Sequence, residues 1–230
     1  MKSDLKNQRI IDDFIEHVQS KGFPCIAAND AASKNTIKFF VADHMACPKD
    51  NSEILHFIYD FVDQYRAADH GFHSIAIIFK EPTISDEESF DFFVWERLQS
   101  LSDLDSKFYM YDPRVEQDVT SPHFSYSLKE EAFYIIGLHP ASSRLARKFK
   151  YPTLVFNPHS QFEKLRELNQ YSKMQHVVRN RDIIYSGSVN PMLADFGKSS
   201  EVFQYTGRAY PEGWKCPLNL KHASKHNSTT

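Results

Sequence analysis

The chain has 230 residues, 41% of them apolar and 14% aromatic, so it is long enough to bury a sizeable core. A formal net charge of −3 and a pI near 6.4 exclude a general attraction to nucleic acid or anionic membranes. No apolar run approaches the roughly 20 residues that span a bilayer, and MKSDLKNQRI lacks the apolar segment of a signal peptide. With three cysteines and no C-x-x-C pair, the composition predicts a cytoplasmic protein without a disulfide framework.

The first half of the chain predicts alternating helices and strands. Apolar residues at helical spacing predict helices over 4–20 and 51–68, and TIKFFVA predicts a strand over 36–42. HSIAIIF at 73–79 is a near-continuous apolar run, which is typical of a strand covered on both faces. FPCIAA is expected to be a loop. Ser85 and Glu88 form a capping-box pattern that predicts the start of a third helix.

Two histidines follow the predicted strands of the second half. The strand at 132–138 ends at His139, and the strand at 153–156 is soon followed by His159. The fourteen residues between these strands are enough for a crossover, which allows a parallel pair. In a parallel pair both histidines lie at the carboxyl edge of the sheet, where open α/β sheets bind ligands.

The residues around these histidines predict helix starts. Pro140 suits the first turn of a short basic helix, because its missing N–H needs no partner there. Ser160 and Glu163 form a second capping-box pattern just after His159. Residues 102–127, by contrast, lose all periodicity and predict a long irregular segment that walls a pocket.

Together these elements predict the fold class. The pattern indicates a single α/β domain over residues 1–218, built on a mixed β-sheet with flanking helices. Residues 219–230 are polar and poor in apolar side chains, so they predict a disordered tail.

Several residue patterns allow cofactor chemistry. A haem site needs an axial ligand, an apolar slot, and cations or hydroxyl groups for two propionates. His139 supplies such a ligand, the many Phe and Tyr side chains supply the slot, and the propionate partners are Ser143, Arg144 and Arg147. A structural histidine, whose ring bonds a neighbouring carbonyl group, is the alternative for His139 and for His159.

Two further possibilities stay open from the residues alone. Zinc has donors in His123, His139, His159 and Cys216, although no short ligand spacing supports a zinc site. Cys25 suits a thiolate nucleophile, a haem thiolate ligand, or a cysteine packed as a small apolar side chain. The sequence has no G-x-S-x-G, Walker or G-x-G-x-x-G motif to favour a hydrolase, P-loop or dinucleotide site.

Blocks of sequence between Phe23 and Leu218 resemble the YqcI/YcgG-like family and follow the family's order. They are FPCIAA, FVWERLQSLSDLD, SPHFSYSL, FYIIGLHPASSRLARKF, PTLVFNPHSQFEKLR, VVRNRD, SVNPMLADFGKSSEVFQYTGR and WKCPL. The patterns GLHPxSSRxARxF and FNPHxQFExLR are specific to that family. It includes haem-dependent N-hydroxylases that act on guanidino compounds such as arginine.

The resemblance implies an O2-dependent enzyme that holds haem b and places a hydroxyl group on a guanidine nitrogen. It offers His139 and His159 as histidine ligands and Cys25 as a thiolate ligand, and His139 is favoured because it ends a rigid strand. Electrons are expected from an external reductase, because the chain carries no flavin or nicotinamide motif. The alternatives are a non-catalytic haem-binding or haem-sensing protein and a metal-free small-molecule binding protein.

A guanidinium substrate also needs a buried carboxylate for bidentate contact. The candidate carboxylates are Glu163, Asp195 and Glu201. Glu163 has a competing role as a helix cap. The residues expected to bind the cofactor, or in the case of the arginines a substrate carboxylate, are Ser143, Arg144, Arg147, His159 and Arg208.

Overall fold

A five-stranded mixed sheet forms the centre of the computed structural model, which describes residues 2–67, 71–188, 190, 192 and 194–223. The strands are β1 (Ile37–His44), β2 (Ser74–Glu81), β3 (Tyr126–Leu128), β4 (Glu131–Leu138) and β5 (Thr153–Pro158). The α-helices of the described residues are α1 (Lys2–Gln19), α2 (Ile26–Ser33), α3 (Asn51–Ala67), α4 (Glu87–Asp105), α5 (His159–Glu167), α6 (Tyr171–Ser186) and α7 (Val202–Tyr205). The described residues form one α/β domain, which confirms the predicted fold class.

The strands follow the order β1-β2-β5-β4-β3, and β1 runs parallel to β2 with α3 as the crossover. The pairs β2–β5, β5–β4 and β4–β3 are all antiparallel. Since Leu138 pairs with Thr153, the carboxyl ends of β4 and β5 lie at opposite edges of the sheet. The prediction of a parallel pair with His139 and His159 at one edge is therefore wrong.

The segment between β4 and β5 explains this outcome. Its helical content is the short 3-10 helix Leu145–Arg147, and not the basic α-helix that Pro140 predicts. The segment instead turns back on itself, where the His139 N–H donates to the Arg147 carbonyl (3.0 Å). Without a helix to carry the chain back across the sheet, β5 returns antiparallel to β4.

The two faces of the sheet meet different helical layers, because successive strand residues point to opposite sides. On the closed face, α3 and α4 pack against the sheet residues Ile75, Ile77, Phe79, Phe133, Ile135, Leu154 and Phe156. On the opposite face, α1 and α2 pack against the smaller set Ile37, Ala76, Ile78, Leu138 and Val155. We call this the cavity face, after the cavity described below. Six of the eight β2 residues are buried, as predicted for a strand covered on both sides.

Two helices near the sheet begin where the sequence does not predict them. FPCIAA is not a loop throughout, since α2 begins at Ile26 with Cys25 as its N-cap residue. Helix α4 is capped by Asp86, whose carboxylate accepts a hydrogen bond from the Ser89 N–H (2.7 Å), and not by Ser85. Asp is as favourable as Ser at an N-cap position, so moving the cap from Ser85 to Asp86 does not destabilise the helix start.

The predicted capping box at the start of α5 is also wrong. The helix begins at His159, so Ser160 lies inside it and its hydroxyl donates to Glu131 (3.0 Å). Glu163 bonds His159 and Arg166 instead of capping the helix. Its side chain therefore holds His159 and Arg166 and does not cap the helix.

The first residues of the predicted tail lie against α4. The Asn219 N–H donates to Gln99 Oε1 (2.8 Å), and His222 Nε2 lies 2.8 Å from Asp105 Oδ2 with both side chains buried. Residues 224–230, the remainder of that tail, lie outside the described residues.

Candidate functional site

A cavity of about 280 Å³ lies on the cavity face of the sheet, under α6. Its apolar walls include Phe14, Val18, Phe23, Ile136, Leu138 and Val155. A smaller number of polar side chains also line it, from β4, β5, α5, α6 and the segment before α7. Apolar walls with a few polar groups are typical of small-molecule sites.

Helix α6 covers the cavity with one of its faces. The residues it contributes, at helical spacing, are Tyr171, Met174, Gln175, Val178, Arg179 and Asp182. None of the α6 residues is fully buried. The helix is held by ion pairs of Asp182 with Arg144 (2.6 Å) and of Arg179 with Asp195 (2.8 Å). The sequence does not predict α6, because the helix is largely polar and shows no buried stripe of apolar residues.

Cys25 is the nucleophilic side chain on this cavity. As the N-cap of α2, its sulfur accepts a hydrogen bond from the Ala28 N–H (3.4 Å). Burial raises the pKa of the thiol, whereas the backbone N–H groups of α2 and the positive charge of Arg147 act to lower it. A thiol beside a helix N-terminus and an arginine is suited to become a thiolate once a metal binds it.

Arg147 is a cavity residue with an unusual set of partners. Its guanidinium donates to three backbone carbonyl groups, those of Gly137 (3.1 Å), Gln204 (3.0 Å) and Tyr205 (3.3 Å). Within the described part of the chain, no carboxylate forms an ion pair with it. Burial lowers the pKa of Arg147, yet an arginine keeps its charge in proteins. The cavity wall therefore carries a cation that is not paired with any carboxylate of the described residues.

The other predicted arginines and Ser143 have partners of their own. Arg144 lines the cavity but is paired with Asp182, and Arg208 lies outside the cavity, paired with Glu88 (2.7 Å). Ser143 is exposed, and its N–H donates to a carboxylate of α4. The structure therefore brings Arg144 and Arg147 to the cavity but not Ser143 or Arg208.

His159 lines the cavity and is bonded to Glu163 on its outer side. Nε2 lies 2.9 Å from Glu163 Oε1, and the Glu163 carboxylate, 44% exposed, also pairs with Arg166. Phe196 packs beside the imidazole at 4.4 Å between ring centroids. Burial lowers the pKa of His159, and the nearby Glu163 carboxylate, which acts to raise it, only partly offsets this effect. Glu163 thus acts on the cavity through His159 and does not line it.

Glu201 is the buried carboxyl group of the cavity. The residue is 5% exposed, and its Oε1 accepts hydrogen bonds from Ser125 Oγ and Tyr205 Oη, both at 2.7 Å. Burial raises its pKa to about 8, despite these two bonds and the charge of Arg166, which lower it. Asp195, the third candidate carboxylate, lies outside the cavity and pairs with Arg179.

His139 lies outside the cavity, on the closed face. The residue is 1% exposed and its ring stacks on Phe90 at 4.1 Å. Nδ1 is buried without a hydrogen-bond partner, and burial lowers the pKa of His139 to about 4. His139 directly follows the rigid strand β4, as predicted, but its side chain lies on the face opposite the cavity, away from Cys25 and His159.

Several polar cavity residues carry no motif and were missed by the sequence analysis. Tyr134 donates through its hydroxyl to Gln204 Oε1 (2.7 Å), and Asn157 Nδ2 donates to the Tyr134 carbonyl (3.2 Å). Ser74 Oγ donates in turn to Asn157 Oδ1 (2.7 Å). The available signal is polarity within strands, since Ser74 and Asn157 are polar residues inside otherwise apolar β2 and β5. The predicted irregular segment at 102–127 lies outside this cavity, but it lines a second pocket through Asp112, Pro113 and Arg114.

Two kinds of site are absent from the described residues. No group of three or more His, Cys, Asp or Glu side chains there is placed to hold a metal ion, which leaves the zinc alternative without a site. A helix with the length and apolar character needed to cross a membrane is likewise not found in these residues.

Comparison with known proteins identifies the family. Neither a curated protein nor a solved structure matches the chain. The model of the YqcI/YcgG family matches residues 13–219, which include every strand, the helices α2 to α7 and all the cavity residues discussed above. The chain belongs to the YqcI/YcgG family.

Proposed function

We propose that the cavity binds haem b through the Cys25 thiolate and that the protein monooxygenates a small nitrogen compound, most simply a guanidino amino acid. The observation that carries the proposal is the position of Cys25, at a helix N-terminus on the wall of an apolar cavity. Family membership and the resemblance to haem-dependent N-hydroxylases support the same reaction.

The residues present fit a haem group in three respects. A single thiol offers an axial ligand, and the Phe and aliphatic walls offer an apolar surface for the ring. Arg147, which has no carboxylate partner among the described residues, offers a cation to a propionate. Haem with a thiolate ligand supplies the activation of O2 and the transfer of one oxygen atom to the substrate.

The chain's own residues then have defined tasks. Arg147 binds a carboxylate, and α6 with its ion pairs excludes water from the cavity. His159 Nε2 is hydrogen-bonded to the Glu163 carboxylate, which is partly exposed to solvent. This pair gives a proton a route between the cavity wall and bulk water. The electrons and O2 come from outside, the electrons from a separate reductase.

The test is an ultraviolet–visible spectrum of the whole chain, expressed with ample haem precursor, in ferric, ferrous and ferrous–CO forms. We expect stoichiometric haem in the wild type with the red-shifted ferrous–CO band typical of thiolate ligation. Cys25→Ser should remove that band. His139→Leu, a change at a candidate ligand that lies outside the cavity, should leave the spectrum unchanged.

Other outcomes point elsewhere. Loss of haem in His139→Leu but not in Cys25→Ser would overturn the ligand assignment. A six-coordinate iron that ignores added arginine would favour a haem-binding or haem-sensing protein. A wild type that never binds haem would contradict the oxygenase proposal and leave a metal-free small-molecule binding protein.

A further inference from the structure

Glu201 differs from Glu131, a buried carboxylate that lines a second pocket together with Asp112. Glu131 is 2% exposed and is neutralised by Arg66 (3.3 Å) and Arg114 (3.0 Å). Glu201 is nearly as buried, at 5%, but no cation of the described residues forms an ion pair with it. Asp112 is neutralised in the same way by Arg114 (2.6 Å). Burying a carboxylate without a cation is unfavourable, so among the described residues Glu201 departs from the pattern of Glu131 and Asp112.

The cations that line the cavity are committed to other partners. Arg144 pairs with Asp182 and Arg179 with Asp195. Arg166 pairs with Glu163 and stacks over Tyr171 at 4.1 Å, and Arg147 is bonded to backbone carbonyl groups. No protein side chain described here is therefore placed to satisfy the charge of Glu201.

One oxygen of Glu201 is fixed and the other is open. Oε1 accepts both hydroxyl donors, from Ser125 and Tyr205, which sets the direction of the carboxyl group. Oε2 receives no hydrogen bond from any described residue. It differs from buried unpaired atoms such as His139 Nδ1 in that the protein does not enclose it fully. Because Glu201 lines the cavity, Oε2 is the atom that a bound molecule meets.

We propose that Oε2 of Glu201 binds the cationic nitrogen group of a small organic ligand, a guanidinium or an ammonium group, inside this cavity. The statement that this ligand is the substrate rests on the proposed function, but binding itself does not require haem. Ser125 and Tyr205 are positioning residues, since they orient the carboxylate through Oε1 without reaching the ligand.

Binding of a cation should release a proton. The groups that act on Glu201 are the hydroxyls of Ser125 and Tyr205, the charge of Arg166, and the buried phenols of Tyr111 and Tyr134. With a pKa of about 8 the empty carboxyl group is mostly protonated at pH 7. A cation favours the carboxylate, so affinity should rise with pH up to about 8 and fall about tenfold per pH unit below it.

The experiment is titration calorimetry on the whole chain, both haem-free and haem-loaded, with L-arginine, agmatine and the uncharged isostere L-citrulline. We expect the cations to bind at least tenfold more tightly than citrulline, and close to one proton to be released at pH 7, measured in buffers of different ionisation enthalpy. Glu201→Gln keeps the hydrogen bonds of Oε1 and should abolish both the preference for cations and the proton release. Glu212→Gln, the same change at an exposed site, should alter neither.

The outcomes separate this inference from the proposed function. Cation-selective binding with proton release in a chain that never takes up haem would support Glu201 and overturn the oxygenase. Haem uptake with equal binding of arginine and citrulline, or with no cation bound in either form, would overturn the role of Glu201 alone. If Glu201→Gln does not fold, the wild-type proton release decides, and its absence contradicts the inference.

Discussion

The two faces of the central sheet are packed differently, although the same strands form both. Ile135 and Ile136 are neighbours on β4, yet Ile135 is fully enclosed on the closed face and Ile136 is half-buried on the cavity wall. On β2, Ile75 and Ile77 fill the closed face. Ala76, between them, packs on the cavity face. The difference shows that the closed face is a close-packed apolar layer, whereas on the cavity face strand residues such as Ile136 and Val155 border open space.

Polar side chains follow the same division. Ser74, Asn157 and Tyr134 all point to the cavity and form one hydrogen-bonded row. On the closed face, by contrast, the buried Nδ1 of His139 has no hydrogen-bond partner among the described residues. The closed face therefore stabilises the fold, whereas the cavity face gives up packing to present polar groups to a ligand.

The largest expected effect comes from truncating the two adjacent isoleucines. Ile135→Ala should reduce the free energy of unfolding by about 2–5 kcal/mol, because it leaves a cavity in a close-packed core. Ile136→Ala should cost only about 1 kcal/mol, because its side chain already borders open space. Urea unfolding of both variants measures the difference. Equal losses would show that the cavity face is packed as tightly as the closed face.

Much of the fold was predictable because its helices and strands have strong local patterns. Helix α3 shows apolar residues at helical spacing, and β2 is a continuous apolar run, so both were predicted within a residue or two. The direction of β5 was not predictable. The fourteen residues between β4 and β5 are enough for a crossover to a parallel strand, and they also allow the antiparallel return that the structure shows. Helix α6 has no buried stripe, so no periodicity indicated it.

The site was predictable residue by residue but not as an arrangement. Cys25, Arg147, His159 and Glu201 were all named from the sequence, and all four line the cavity. What sets Glu201 apart is its contact with Ser125, 76 residues away in the chain, and no local pattern reports such a contact. His139 stands in an equally specific motif, yet it follows Leu138 of the cavity face and therefore points to the closed face, where it stacks on Phe90.

The closed face should also be the more sensitive to acid, through His139. Its folded pKa of about 4 lies below the ordinary value of 6.5, so the unfolded chain takes up the proton first as pH falls. Its contribution to stability is complete above pH 6.5 and is lost progressively as pH falls towards 4. Each pH unit in that window is worth about 1.4 kcal/mol, for a total on the order of 3 kcal/mol.

Replacing His139 by leucine tests this directly, because the ring has a buried unpaired nitrogen and an apolar neighbour in Phe90. His139→Leu should match the wild type near pH 7 and exceed its unfolding free energy at pH 4.5, measured by urea unfolding at both values. His56→Leu, at an exposed position on α3, should not change the pH dependence. A pH dependence unchanged in His139→Leu would mean that the closed face tolerates the charged ring.

The smallest expected effect concerns the stability of two helices, α3 on the closed face and α6 over the cavity. Helix α3 buries six side chains and α6 none, so the α6 amides should exchange with solvent at a lower opening free energy. Asp195→Asn removes the ion pair with Arg179, in which both side chains are one-third exposed, and should speed exchange in α6 about twofold to fivefold, or roughly 0.4–1 kcal/mol. The same change at exposed Asp60 on α3 is the control and should leave α6 exchange unaltered. Native-state hydrogen exchange resolves both helices in one measurement. If α6 exchanged as slowly as α3, its polar contacts would hold it as firmly as a packed core holds α3, and a ligand would need another way into the cavity.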